Sequence, residues 1–314
     1  MTRLTSGAIA FTAIFLLFLA APLSAQTLYG SQGGAQGGDG GRLVILDTDD
    51  ASATLVGTPF DSVGMPGIEF LQDGRLVAVS SVNHSEELDT SYLLELDPHT
   101  GALLSSQPLL DSDGNGCAFG DIAMHPGTGV LYGIAANQSS LGTRCGVGGS
   151  TGGYLATIDP ATGIYTTVGR DAEFGNASGG IAFGPDGTLY FTAAWASDDT
   201  LYTLDPATAD VLSTTDLTPG GSYFGLAWDP TENQLYGSYD WGPDAPILVT
   251  IEPASGSVTV IGDTDFNYMG IAFSRGVSAQ PIAVPMGSYG FLGLLAFLLA
   301  LAAMWSVRGR RSAT

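Results

Sequence analysis

The sequence predicts an all-β fold: a β-propeller of about five four-stranded antiparallel blades between an N-terminal signal peptide and a C-terminal transmembrane helix. Three observations carry the propeller. An acid that ends an apolar run recurs at Asp47, Asp97, Asp159, Asp205 and Glu252, at intervals of 46 to 62 residues, in phrases such as Leu201-Tyr202-Thr203-Leu204-Asp205-Pro206. A second phrase keeps the same beat: Gly67-Ile68-Glu69-Phe70, Asp121-Ile122-Ala123-Met124, Gly180-Ile181-Ala182-Phe183, Gly225-Leu226-Ala227-Trp228 and Gly270-Ile271-Ala272-Phe273. Four copies run into a turn such as Pro185-Asp186-Gly187, and a Leu-Tyr run such as Leu189-Tyr190 follows. Repeats of this length with several short strands each mark propellers rather than helical solenoids.

Each repeat therefore reads as strand A (Gly-Ile-Ala-Phe), strand B (Leu-Tyr), strand C (ending in Asp-Pro) and strand D (as in Thr166-Thr167-Val168-Gly169). The turn residues support hairpins, because glycine accepts the positive φ that a tight turn needs. The chain begins at a B strand, Leu28, and ends at an A strand without its own repeat, Gly270 to Phe273. That strand fits the gap in the first blade, so the two ends of the chain are expected to close the ring and remove its open edges.

Both termini read as addresses. Residues 1–25 carry Arg3, an apolar run from Ala8 to Ala21 and a small residue, Ala25, before the expected cut: a secretory signal. The propeller is expected over 26–276, a linker over 277–288, an uncharged span over 289–307 and a basic tail over 308–314. The span is just long enough to cross a bilayer, and its following arginines place the C-terminus in the cytoplasm. Pro285, Tyr289, Gly290, the apolar span and Arg308, Arg310 and Arg311 fall in an order that resembles the C-terminal sorting signals of Gram-negative bacteria, the IPTL-CTERM and PEP-CTERM classes. The tail departs from them in lacking a Pro-Glu-Pro string. The N-terminal signal implies signal peptidase as a partner, and the resemblance implies an exosortase-like sorting enzyme. It also implies export across the inner membrane, removal of the tail and delivery to the cell surface or exterior. The alternative is a permanent single-pass anchor.

The chain holds no lysine, and its 31 acids all lie between the two addresses. Such a surface repels nucleic acid and anionic lipid, which excludes both as partners of the domain. The two cysteines, Cys117 and Cys145, are expected to form a disulfide in an exported chain, stapling two connections of blade three on one face.

The A-to-B and C-to-D turns are short and alike, whereas the B-to-C and D-to-A connections are long and unlike. Variable loops on a repeated scaffold are where binding usually sits. Trp195 and Trp241 share one register after strand B on neighbouring blades, with Asp199, Asp240, Tyr239 and Asn137 on the same set of loops. They are candidates for an aromatic, acidic ledge that holds a sugar ring; the alternative is that both tryptophans cap their blades. Asp111, Asp113 and Asn115, ahead of Gly116, resemble the first half of a calcium loop, but position 12 is Ile122 instead of an acid, so an Asx-rich turn is the competing reading. Calcium is the one cofactor suggested.

Catalytic signals are sparse. His84, His99 and His125 fall on different turns and loops and cannot share one zinc. Only Asp121 places a carboxylate at the start of an A strand, where propeller enzymes line their channel. The expected function is an exported, non-catalytic binding or adhesion module for extracellular polysaccharide; the alternative is a propeller hydrolase or lactonase-like enzyme.

Overall fold

The computed structural model describes residues 26–32, 41–58, 64–81, 90–137, 152–169, 179–193, 199–221, 223–239, 247–263 and 270–275. Blade one contains β1 (Leu28–Ser31), β2 (Leu43–Leu46) and β3 (Ala53–Val56). Blade two runs β4 (Gly67–Phe70), β5 (Leu76–Val79), β6 (Tyr92–Leu96) and β7 (Leu103–Pro108). Blade three runs β8 (Ala118–Met124), β9 (Leu131–Asn137), β10 (Gly152–Ile158) and β11 (Tyr165–Gly169). Blade four runs β12 (Ile181–Phe183), β13 (Leu189–Thr192), β14 (Thr200–Leu204) and β15 (Val211–Asp216). Blade five runs β16 (Tyr223–Asp229), β17 (Gln234–Tyr239), β18 (Ile247–Glu252) and β19 (Ser257–Asp263). The last strand, β20 (Gly270–Phe273), pairs antiparallel with β1, Leu28 opposite Phe273 and Ser31 opposite Gly270. Blade one is thus completed by the two ends of the chain in the order β20-β1-β2-β3, as expected.

The apolar alternation explains why the sheets pack face to face around a ring. Among the described residues five clusters of buried side chains form, one at each junction of neighbouring blades. Between blades five and one, Leu28, Leu46, Ile271 and Phe273 meet Tyr236 and Leu248. Between blades four and five, Leu201 and Leu217 meet Tyr223, Leu235 and Ile251. The outer D strands lose this character: β7 and β15 are mostly exposed, and Leu104 and Leu212 face solvent.

The repeated acid has a local cause. In each C-to-D turn its carboxylate accepts the amide two residues on: Asp47 from Asp49, Asp97 from His99, Asp159 from Ala161, Asp205 from Ala207 and Glu252 from Ala254. Its carbonyl accepts the amide four residues on, from Ala51, Gly101, Gly163, Ala209 and Gly256. Those five residues all have positive φ. At Gly101 the demand is double, because a Cβ there would strike the Val56 carbonyl of blade one. The commonest landmark of the sequence is therefore a turn cap, and three of its five copies use glycine at the strained position.

The expected signal peptide, linker, transmembrane span and basic tail lie outside the described residues, as do Pro285, Tyr289, Gly290, Arg308, Arg310 and Arg311. Among the described residues no helix is long and apolar enough to cross a membrane.

Candidate functional site

The residues singled out from sequence for the loop face are only partly among the described residues. Trp195, Trp241 and Asp240 lie outside the described residues. Asn137 ends β9 opposite Gly152. Asp199 and Tyr239 are described, and the fold brings them to one place. Asp199 immediately precedes β14 of blade four, and Tyr239 ends β17 of blade five. Both converge on Pro219-Gly220-Gly221 in the D-to-A connection between β15 and β16. A Cβ at Gly220 would overlap the Asp199 carboxyl, and one at Gly221 would lie 2.6 Å from the Tyr239 ring. Two consecutive glycines thus make room for a carboxylate and a phenol from neighbouring blades. Tyr223 completes the group: its ring sits 5.8 Å from that of Tyr239, and its hydroxyl donates to the Pro219 carbonyl at 3.3 Å. Burial, reinforced by the nearby Tyr239 and Asp199, raises the Tyr223 phenol well above its ordinary range, so it remains a neutral donor. Sequence reasoning missed Tyr223, since it sits within a strand and nothing local marks it.

The calcium candidates behave as a turn. Asp111 Oδ1 accepts the amides of Asp113 and Asn115, and the Asn115 side-chain amide donates to Asp111 Oδ2 at 2.9 Å. Slight burial raises the Asp111 pKa, and the bonds from Asn115 and its neighbours outweigh it, so the net shift is downward. Asp111 and Asn115 are therefore brought together, held by each other. Among the described residues no group of three His, Cys, Asp or Glu side chains is placed to hold a metal ion. Cys117 is buried just before β8, and Cys145 lies outside the described residues. His125 accepts the Gly127 and Thr128 amides on Nδ1 and packs its ring on Phe183, a turn role.

The axis of the ring holds two carboxyls. Where four A strands start with glycine, β8 has Asp121, aimed inward by a bulge between Phe119 and Asp121. The carboxyl is fully buried. Its Oδ1 accepts the Ile122 amide and its Oδ2 the Ile181 amide of blade four, both at 2.9 Å, and the Leu226 amide of blade five also bonds to it. Gly67 lies against it so closely that a Cβ would come within 2.6 Å of the Asp121 Cα. Asp121 therefore fills the middle of the ring and ties three blades together. Burial pushes its pKa well up against those hydrogen bonds, and Glu69 adds to the rise.

Glu69 is the second exception, standing where the other four A strands have alanine. Its Oε1 accepts the Phe70 amide and its Oε2 the Met124 amide of blade three. Arg275 lies 3.8 Å away. Burial raises the Glu69 pKa, opposed by Arg275 and the two amides. Beyond Glu69, at the face of the short turns, the A-strand ends enclose a cavity of about 310 Å3. Phe183, Trp228 and Phe273 line it, together with Gln26 and Arg275 at the two ends of the ring.

Residues 116–277 match the model of a family described as a repeat of unknown function (DUF6923). No curated protein matches the chain. Solved structures with a similar path include the nidogen/laminin complex, at 11% identity over 80% of this chain and 99% of that one, TM-score 0.49. Another is a putative gluconolactonase, at 17% identity over 78% and 80%, TM-score 0.47. A third is the glutaminyl cyclase of Myxococcus xanthus, at 14% identity over 64% and 70%, TM-score 0.41. Likenesses this distant say nothing about ligand or reaction.

Proposed function

We propose that this chain, which belongs to the DUF6923 family of repeats of unknown function, is an exported, non-catalytic module that binds extracellular polysaccharide through its loop face. One observation carries the reading. Asp199 and Tyr239, from different blades, converge with Tyr223 over a diglycine floor on the face of the unlike loops. Carboxylate and phenol groups suit the hydroxyls and ring faces of sugars. Trp195 and Trp241 follow strand B of these same two blades and would supply the flanking walls. A lactonase-like reaction would instead need carboxylates presented at the channel, and Asp121 is buried under backbone amides. A glycan array probed with the full chain is the test. Combined Trp195→Ala and Trp241→Ala substitution is expected to abolish glycan binding with an unchanged melt. A folded double variant that binds equally well would place the ligand elsewhere; an unfolded one would make both residues packing caps.

Signal peptidase would release the domain from residues 1–25, and an exosortase-like enzyme would act near Pro285, Tyr289 and Gly290. The exported domain would then carry a Cys117–Cys145 bridge, in keeping with the lack of a free cysteine among the described residues. Such a bridge closes a loop that contributes about 3 to 4 kcal/mol in the chain-entropy account. Non-reducing peptide mass spectrometry of surface protein from the native host reads both features. The expected result is one linked peptide pair and no peptide containing Arg310 and Arg311. Two alkylatable thiols overturn the bridge, and an intact basic tail overturns the processing.

A further inference from the structure

We propose that the axial cavity at the turn face is a second binding site, for a small neutral polyhydroxylated ligand of monosaccharide size. It lies on the opposite face from the ledge and does not depend on it. Three features point there. First, its volume of about 310 Å3 falls at the lower end of the roughly 300–1,000 Å3 typical of small-molecule sites. Second, two of its lining residues have buried polar atoms with no hydrogen-bond partner: the Trp228 indole Nε1 and the Gln26 Oε1. Buried polar atoms in native proteins are nearly always paired, and the side chains that carry this donor and this acceptor both line the cavity, so a ligand or water drawn in among them would satisfy both. Third, all five blades contribute to the wall, so the site exists only in the closed ring: Glu69, Met124, Phe183, Trp228 and Phe273 come one from each.

The chemistry narrows the ligand. Trp228 Nε1 can only donate, and Gln26 Oε1 can only accept. A hydroxyl does both, and neighbouring hydroxyls do so in sequence. The Arg275 guanidinium, 3.8 Å from Glu69, sets further donors beside an acceptor. Phe183, Phe273, Pro185 and Pro230 offer apolar surface to C–H faces. Trp228 is held in place by its stack on Tyr190, rings 5.7 Å apart and 7° from parallel. Net charge decides against ions. An anion would approach Glu69 in a chain of net charge −22, and a cation would meet Arg275.

The experiment is a calorimetric titration of the full chain with D-glucose, D-galactose and myo-inositol, and with D-glucuronate and D-glucosamine as charged counterparts. At least one neutral probe is expected to saturate, with the charged ones at least about tenfold weaker. Trp228→Phe keeps a ring on Tyr190 and removes the indole N–H, so it is expected to weaken binding about tenfold, the size of one hydrogen bond to a buried donor. Gln26→Leu, at the edge of the ring, gives a second variant if Trp228→Phe lowers the yield of folded protein. The Trp195→Ala and Trp241→Ala pair is expected to leave monosaccharide binding unchanged, which separates this site from the loop ledge. The proposal is overturned if no neutral probe saturates, if folded Trp228→Phe and Gln26→Leu bind as the parent does, or if the loop tryptophans abolish monosaccharide binding.

Discussion

Deleting residues 270–273 is expected to abolish cooperative thermal unfolding. The strand they form is short, but it buries Ile271 and Phe273, 1% and 5% exposed, against blade five. Each such side chain contributes about 1.5–3 kcal/mol on burial. The deletion also strips β1 of its partner and breaks the clasp in which Thr27 and Ser274 exchange hydrogen bonds. Together these losses approach the roughly 5–15 kcal/mol that holds a typical domain. A permuted chain isolates the cause. Joining Ser274 to Thr27 through a short linker and opening the turn at Asp73-Gly74 keeps every strand, so it is expected to melt cooperatively. A deletion variant with the parent's melt would mean that ring closure contributes little. Melting the deletion variant and the permutant by circular dichroism decides it.

The ring was legible because each of its signals is local. The acid of the C-to-D turn, the glycine of the A-to-B turn and the Gly-Ile-Ala-Phe strand each answer to neighbours a few residues away, and each recurs. The orphan strand at Gly270 was readable for the same reason. The axis was only half legible. Asp121 stands out in the sequence as a carboxylate among glycines, a lone acid at the channel. That Glu69 breaks a column of alanines was equally visible in the alignment of the repeats, and its meaning lay in tertiary structure. Gln26, Trp228 and Arg275 are scattered over the length of the chain, and only closure of the ring brings them around one cavity. Tyr223 was hidden likewise, since its partners Pro219 and Tyr239 meet it through the packing of blade five. Trp195 and Trp241 share a register after strand B, and register is the signal that marks them.

Replacing Asp121 is expected to be the most damaging single substitution in the ring. In Asp121→Ala the amides of Ile122, Ile181 and Leu226 lose their acceptor in a site with no solvent access. Each orphaned amide costs about 1–3 kcal/mol, so a loss of about 3–9 kcal/mol is expected. Asp121→Asn keeps the shape but turns a donor toward one of those amides, so it is expected to cost about 1–3 kcal/mol. The two variants also expose a pH dependence whose sign follows from the raised pKa. The unfolded carboxyl titrates near 3.8, and burial moves the folded one well above that. Below 3.8 both states hold the proton and the contribution of the native environment is complete. As pH rises past 3.8 the unfolded chain releases its proton while the folded chain keeps it, so unfolding gains by up to about 1.4 kcal/mol per pH unit until the folded group itself ionises. Asparagine does not titrate. The stability of the parent relative to Asp121→Asn is therefore expected to be greatest near pH 4 and to shrink as the pH is raised toward neutrality. Carboxylates such as Asp97 and Asp159, whose pKa values are lowered in their turns, work in the opposite direction but cancel in this comparison, being common to both proteins. Denaturant melts of the two proteins across that range give the difference directly. A difference that stays flat, or grows with pH, would mean that Asp121 is ionised in the folded ring and that its hydrogen bonds, rather than its proton, hold the axis.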